Sequence, residues 1–134
     1  MSASTIDVAG LERDLRAAVR GEVRFDEGSR ALYTSDASNY RQVPIGVVLP
    51  CDAGDVVEIV ATCRRYGAPI LARGGGTSLA GQCCNVAVVI DGSKNLRRII
   101  EIDAENRTAT VEPGVVLDQL RTEAERYHLT FGPD

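Results

Sequence analysis

Little in this 134-residue sequence is aromatic: two Phe, four Tyr and no Trp. Tyr33, Tyr40, Tyr66 and Tyr127 are scattered, so no stacking platform for nucleic acid is offered. An excess of positive charge is also missing, since 15 Lys and Arg against 19 Asp and Glu leave a net charge of −4. Nucleic acid and anionic membrane surfaces both ask for a basic face, and neither is an expected partner. No apolar run approaches the roughly 18 residues of a membrane span. The opening MSASTIDVAG has no basic patch followed by an apolar run. It does not read as a signal peptide, and a cytoplasmic protein is expected. Metal-ligand spacing is lacking too. Cys51, Cys63, Cys83 and Cys84 form no CxxC, and the single His128 is remote from all of them, so no metal is expected. Ordinary disulfide geometry does not suit the neighbours Cys83 and Cys84. The four cysteines are therefore read as reduced and mostly buried, with Cys83 and Cys84 facing the core.

What is present is ordinary for a folded chain: 44% hydrophobic and 25% charged residues. A chain this long can bury a core of its own. Asp7 can cap a helix over 8–20 that Gly21 stops. Residues 22–45 read as irregular, with a short helical turn near 29–33. The apolar GVVLP at 46–50 reads as a buried strand. A helix starting at Asp52 or Asp55 then runs to Tyr66, with Val56, Ile59, Val60 and Cys63 as its apolar stripe and Gly67 as C-cap. APILA (68–72) and VAVVID (86–91) read as two more strands. Residues 98–103 and 108–113 alternate as a hairpin does. A last helix, with Asp118 near its start, reaches Tyr127 and puts Leu117, Leu120, Ala124 and Tyr127 on one face.

Near-continuous apolar strands beside helices are how parallel strands covered on both faces read. The expected class is α+β, mixed α/β: a small parallel three-stranded sheet with helices, followed by the start of a second, antiparallel sheet. Residues 1–45 form a helix and lead-in, and 46–134 the main unit. The ending at FGPD is abrupt, which suggests part of something longer.

The chemistry concentrates in one loop, Arg73-Gly74-Gly75-Gly76-Thr77-Ser78-Leu79-Ala80-Gly81-Gln82. Glycines after a strand can take positive φ, which is expected at Gly75 among others. Successive N–H groups can then form an anion-binding nest. Thr77 and Ser78 add hydroxyls and Arg73 a positive charge, a set suited to phosphate or pyrophosphate. A plain turn between strands needs none of these extras. Gly74-x-Gly76 is followed by Leu79 where a dinucleotide fingerprint has its third glycine, and a strand follows where a helix should. Gly76 and Gly81 have Walker spacing, but Gln82 and Cys83 replace the lysine and hydroxyl, so nucleotide hydrolysis is not supported.

RGGGTSLAGQ, then VAVVIDGSKNL and TATVEPGVVLDQL, resemble the FAD-binding family of the vanillyl-alcohol oxidase and p-cresol methylhydroxylase type. The branch resembled is that of bacterial FAD-linked dehydrogenases acting on 2-hydroxy acids, and the match runs from about Ser35 to Asp134. The resemblance implies that 73–78, with Gly81 and Gln82, wrap the FAD pyrophosphate. It implies that Pro50 ends a strand near the adenine, and that Glu112, Pro113 and Gly114 line the cofactor through main-chain contacts. Some members attach FAD through a histidine in the glycine loop; Thr77 occupies that neighbourhood here, which implies noncovalent FAD. Members continue with a second glycine-rich stretch and a substrate domain. A 2-hydroxy acid would thus be met only through domains outside this sequence, and the chain alone is expected to turn nothing over.

Other polar residues read as structural. His128 suits a helix C-terminus, and Asp52 and Asp55 suit a helix start. Glu101, Asp103 and Glu105 suit a solvated hairpin end. Asp36, Asn39 and Tyr40 form a polar cluster, either plain loop or packing over the flavin edge or another domain. Two function classes follow: the cofactor-holding part of an FAD-dependent oxidoreductase, or a noncatalytic anion- or nucleotide-binding module.

Overall fold

The structure, a computed structural model, describes residues 5–133. In chain order its elements are α1 (Val8–Ala18), β1 (Glu22–Arg24), α2 (Glu27–Leu32), β2 (Gly46–Leu49), α3 (Ala53–Tyr66), β3 (Ile70–Arg73), β4 (Val88–Asp91), β5 (Ile99–Asp103), β6 (Thr108–Val111) and α4 (Leu117–Glu125). No helix among the described residues is long and apolar enough to cross a membrane.

The Asp7 carboxylate accepts from Gly10 N at 3.0 Å and starts α1, whose Leu11 and Leu15 are fully buried. The helix ends at Ala18, short of the expected residue 20. The N–H groups of Arg20 and Gly21 turn instead to the Asp55 carboxylate, at 3.1 and 3.0 Å. Gly21 is needed for a close approach, since a Cβ there would lie 2.1 Å from Leu49 O. Asp52 caps α3 by accepting from Asp55 N at 3.1 Å, and Gly67 closes it in the left-handed conformation. Its buried stripe is Asp55, Ile59, Thr62 and Cys63. Val60, expected in that stripe, is exposed, because Thr62 faces inward in its place.

The sheet has order β1-β2-β4-β3. β2, β4 and β3 are the expected parallel strands. The stretch read as irregular contributes a fourth: β1 pairs antiparallel with β2, Val23 opposite Val48. A three-residue Glu-Val-Arg has one apolar position and so no alternation to detect. On one face, Leu11, Leu15, Ile59 and Cys63 pack with Val48, Val88 and Ile90. On the other, Val47, Leu49 and Val89 pack with Tyr33 and Leu71. β2 and β4 are buried at every position, and β3 is a half-exposed edge.

β5 and β6 form a separate antiparallel pair with a register irregularity between Ile99 and Glu101. Helix α4 follows with no side-chain N-cap and ends two residues before the expected Tyr127, which is exposed along with His128. None of the four cysteines forms a disulfide; Cys63 and Cys84 are buried, Cys83 is half-buried, and Cys51 is exposed at the end of β2 rather than inside.

Candidate functional site

β3 and β4 run side by side and end in register, Arg73 opposite Asp91, with Gly92 N donating to Arg73 O at 3.0 Å. The glycine loop leaves from this carboxyl edge, which is where open α/β sheets bind ligands. Positive φ occurs at Gly76 and Gly81, at 69° and 77°, and not at Gly75 as expected. A Cβ on Gly75 would meet only Thr77 Cγ2 at 3.6 Å, and one on Gly74 only Pro113 O at 3.9 Å. The fold itself therefore has room for a Cβ at both. The N–H groups of 74–79 donate to no acceptor among the described residues. Backbone donors nearly all find a partner, and at this part-exposed loop water or a ligand supplies it.

The loop's other groups are used internally. Arg73 Nη1 donates to Ser35 O and to Cys83 O, each at 2.9 Å. Its guanidinium lies over the Tyr33 ring, 5.2 Å from the centroid, and a Cβ on Gly76 would sit 2.4 Å from Arg73 Nη2. Arg73 thus spans the loop's two ends, where the sequence suggested a charge free for phosphate. Tyr33 OH donates to Asp91 Oδ2 at 2.6 Å. Burial first, and then the Asp91 carboxylate, push this phenol up to about 12.

The segment 35–41 lies along the loop. Ala37 N donates to Gly76 O at 3.1 Å, and Cys83 N to Asp36 Oδ2 at 3.2 Å. The Tyr40 ring packs where a Gly81 side chain would go. Hydrogen bonds from Ser38, Oγ first, hold Asp36 below the usual carboxylate range. Ser78 Oγ donates to Gln82 Oε1 and accepts from the N–H groups of Ala80 and Gln82, both at 3.3 Å. Thr77 is exposed.

An apolar cleft of about 330 Å³ opens beside the loop, lined by Ala72, Gly74, Ile90, Gly92, Leu96 and Pro113 among others. Glu112, just before Pro113, is bound by Arg98 through N, Nε and Nη2 at 2.7–3.0 Å, which lowers its pKa. Gly114 is a packing glycine, because a Cβ there would lie 2.2 Å from Gly92 O; it is buried. Pro50 is also buried, and its carbonyl accepts from Asn95 Nδ2 at 3.0 Å. Of the residues singled out, the structure gathers Arg73, Gly74, Pro113 and the loop at one edge, and Pro50, though buried, follows β2 at the same carboxyl edge of the sheet. A wider groove of about 710 Å³ between β5 and α4 contains none of them. Tyr33, Ser35 and Arg73's internal role were not foreseen; their contacts cross 38 to 58 positions of chain, and no local pattern announces them.

The profile of a family described as FAD binding domain matches residues 44–134. Two relatives are a D-2-hydroxyglutarate dehydrogenase of Pseudomonas putida, 32% identical over 92% of this chain and 13% of its own length, and the glycolate oxidase subunit GlcD of Bacillus subtilis, 36% identical over 87% of this chain and 26% of its own. The chain thus spans about a quarter or less of these proteins. Among solved structures, an alkyldihydroxyacetonephosphate synthase superposes with TM-score 0.79 at 20% identity, over 100% of this chain and 28% of its own. A p-cresol methylhydroxylase does so with TM-score 0.72 at 22% identity, over 90% and 25%. At that identity the structures speak for the fold, and they match both the parallel sheet and the separate antiparallel pair. With the profile covering most of the sequence, the chain belongs to the FAD binding domain family.

Proposed function

We propose that this chain is the pyrophosphate-holding part of an FAD-dependent oxidoreductase that acts on a 2-hydroxy acid. The observation that carries the reading is the row of N–H groups at 74–79 with no acceptor among the described residues. It is joined by two glycines, Gly74 and Gly75, whose identity the fold does not require. A diphosphate lying against them would supply the missing acceptors and would occupy the space that makes glycine useful there. Thr77 contributes a hydroxyl, while Ser78 and Gln82 brace the return of the loop. The cleft lined by Ala72, Ile90 and Pro113 offers apolar surface beside it.

When bound, FAD supplies the redox chemistry of its isoalloxazine ring. The residues of this chain bind and orient it. The substrate preference rests on the relatives named above as dehydrogenase and oxidase of 2-hydroxyglutarate and glycolate, and the residues that act on it lie outside this chain. Attachment is noncovalent: Thr77 is a weak nucleophile without a base, Cys83, half-buried, and Cys84, buried, lie beyond the loop's end, and His128 follows α4. The reading includes a cytoplasmic location, which suits four cysteines without a disulfide. The test is a titration of the chain with FAD, ADP and riboflavin. FAD and ADP, which carry the diphosphate, should bind and compete. Riboflavin binding as tightly as FAD, with ADP inert, would contradict the assignment.

A further inference from the structure

We propose that Arg73 is a positioning residue that, together with the turn 35–41, shapes the glycine loop, and that it is not a ligand of the phosphate. This rests on the FAD reading above for its ligand, but the geometry is independent of it. Arg73 begins at the end of β3, yet its Nη1 reaches two carbonyls, Ser35 O at the start of the turn 35–41 and Cys83 O just past the loop. One face of the guanidinium lies against the Tyr33 ring, and Nη2 packs against the Gly76 backbone. The same turn grips the loop at three further points: Ala37 N on Gly76 O, Asp36 on Cys83 N, and Tyr40 on Gly81. The two left-handed glycines are thus the two positions where the loop is held down, by Arg73 at Gly76 and by Tyr40 at Gly81.

Between and before those points the N–H groups of 74–79 have no acceptor among the described residues. A flexible loop would pay conformational entropy to line up these donors on binding. A loop already pinned at Gly76 and Gly81 avoids much of that cost. The pinning segment 35–41 precedes residue 44, where the family profile begins its match. The loop's shape therefore depends on residues the family profile does not cover.

Asp36 makes the test sharp, because charge and positioning predict opposite signs there. If the site attracts the diphosphate only by net charge, Asp36→Ala removes a carboxylate and tightens FAD binding. If the turn positions the loop, the same change loosens it. FAD binding to the chain and to Arg73→Ala, Asp36→Ala and the double variant should be followed by flavin fluorescence at several salt concentrations. Amide hydrogen exchange should be measured at Ala37 and Cys83 without ligand. Each single variant is expected to weaken FAD about tenfold or more, as loss of hydrogen bonds to a charged group does. The double variant should be little worse than the poorer single. Arg73→Ala should leave the salt dependence of binding unchanged, whereas loss of a phosphate-bound cation would flatten it. Protection of the Ala37 and Cys83 amides should fall in Arg73→Ala while α3 keeps its own.

Tighter binding by Asp36→Ala, or a flattened salt dependence in Arg73→Ala, would overturn the proposal. So would unchanged amide protection in Arg73→Ala. If the amides lose protection but no form of the chain binds FAD, the cofactor reading fails and the positioning role stands.

Discussion

The two sheets of this chain differ in how far each completes itself. In the first, β2 and β4 are buried at every position, with α1 and α3 on one face and Tyr33 and Leu71 against the other. In the second, β5 and β6 carry mostly exposed residues, and Ile100, Val116, Tyr127 and Phe131 stand open to solvent around α4. The glycine loop grows from the closed sheet and is braced by residues of that same half. A site that must hold donors within a few tenths of an ångström belongs on the more rigid scaffold. The open half adds Pro113 to the cleft beside the contact where Gly114 packs on Gly92 and Leu96.

The contrast is broken most strongly by trimming one apolar residue on each side. Leu15→Ala, at a fully buried position, should cost about 2–5 kcal/mol in urea unfolding. Ile100→Ala, at a position 60% exposed, should stay within about 0.5 kcal/mol. Equal losses would mean that the hairpin has a core of its own.

Asp55 comes next, because it fastens the end of α1 to the end of β2. Its carboxylate accepts from Arg20 N, Gly21 N and Cys51 N at 2.8–3.1 Å. Burial opposes its ionisation, but these N–H groups prevail and the pKa is lowered. Asp55→Asn strands at least one donor and should cost roughly 2–3 kcal/mol at neutral pH. A lowered folded pKa gives stability that is present above the ordinary aspartate pKa and is lost as pH falls through the folded value. The gap between wild type and Asp55→Asn should therefore close on acidification, and a gap that widened would contradict the assignment.

Within the loop the comparison narrows to neighbouring glycines. Gly76→Ala meets both left-handed φ and the Arg73 guanidinium and should cost about 1–3 kcal/mol. Gly75→Ala meets neither and should be neutral within about 0.5 kcal/mol. Thermal unfolding of the pair reads this directly, and equal destabilisation would show that Gly75 is also a folding requirement.

The smallest expected effect is at Tyr33. Tyr33→Phe removes the hydrogen bond to Asp91 at a cost of about 1 kcal/mol. The phenol rises from 10.0 to about 12 in the folded chain. That contribution is thus complete below pH 10 and is lost as pH rises toward 12. Wild type and variant should converge over this interval, and parallel curves across it would remove Asp91 from the account.

The buried strands were legible because GVVL and the VVI that opens β4 are apolar throughout, and α3 because Asp52 and Gly67 mark its two ends. β1 was not, since one apolar residue makes no pattern and the strand exists only by pairing with β2. The end of α1 is hidden from the sequence for a similar reason: the residue that ends it, Asp55, lies 34 positions further on from Gly21. In the site, the run of glycines was legible from its composition. Which glycine carries the strain was not, because φ at Gly76 is fixed by the Arg73 side chain and by Ala37, across the fold. The same long-range contacts commit Arg73 Nη1 to Ser35 O and Cys83 O, which its place in the sequence does not announce.

The central claim is that the amides of 74–79 are kept for a diphosphate. It is tested most directly by Gly75→Val, measured for both stability and FAD affinity. The fold has space for a Cβ there, 3.6 Å from Thr77 Cγ2, while a phosphate lying on that backbone would meet the branched side chain. The account predicts a variant that unfolds like wild type but no longer binds FAD, and that is colourless in the complete protein. Stoichiometric flavin retained by a folded Gly75→Val would contradict it.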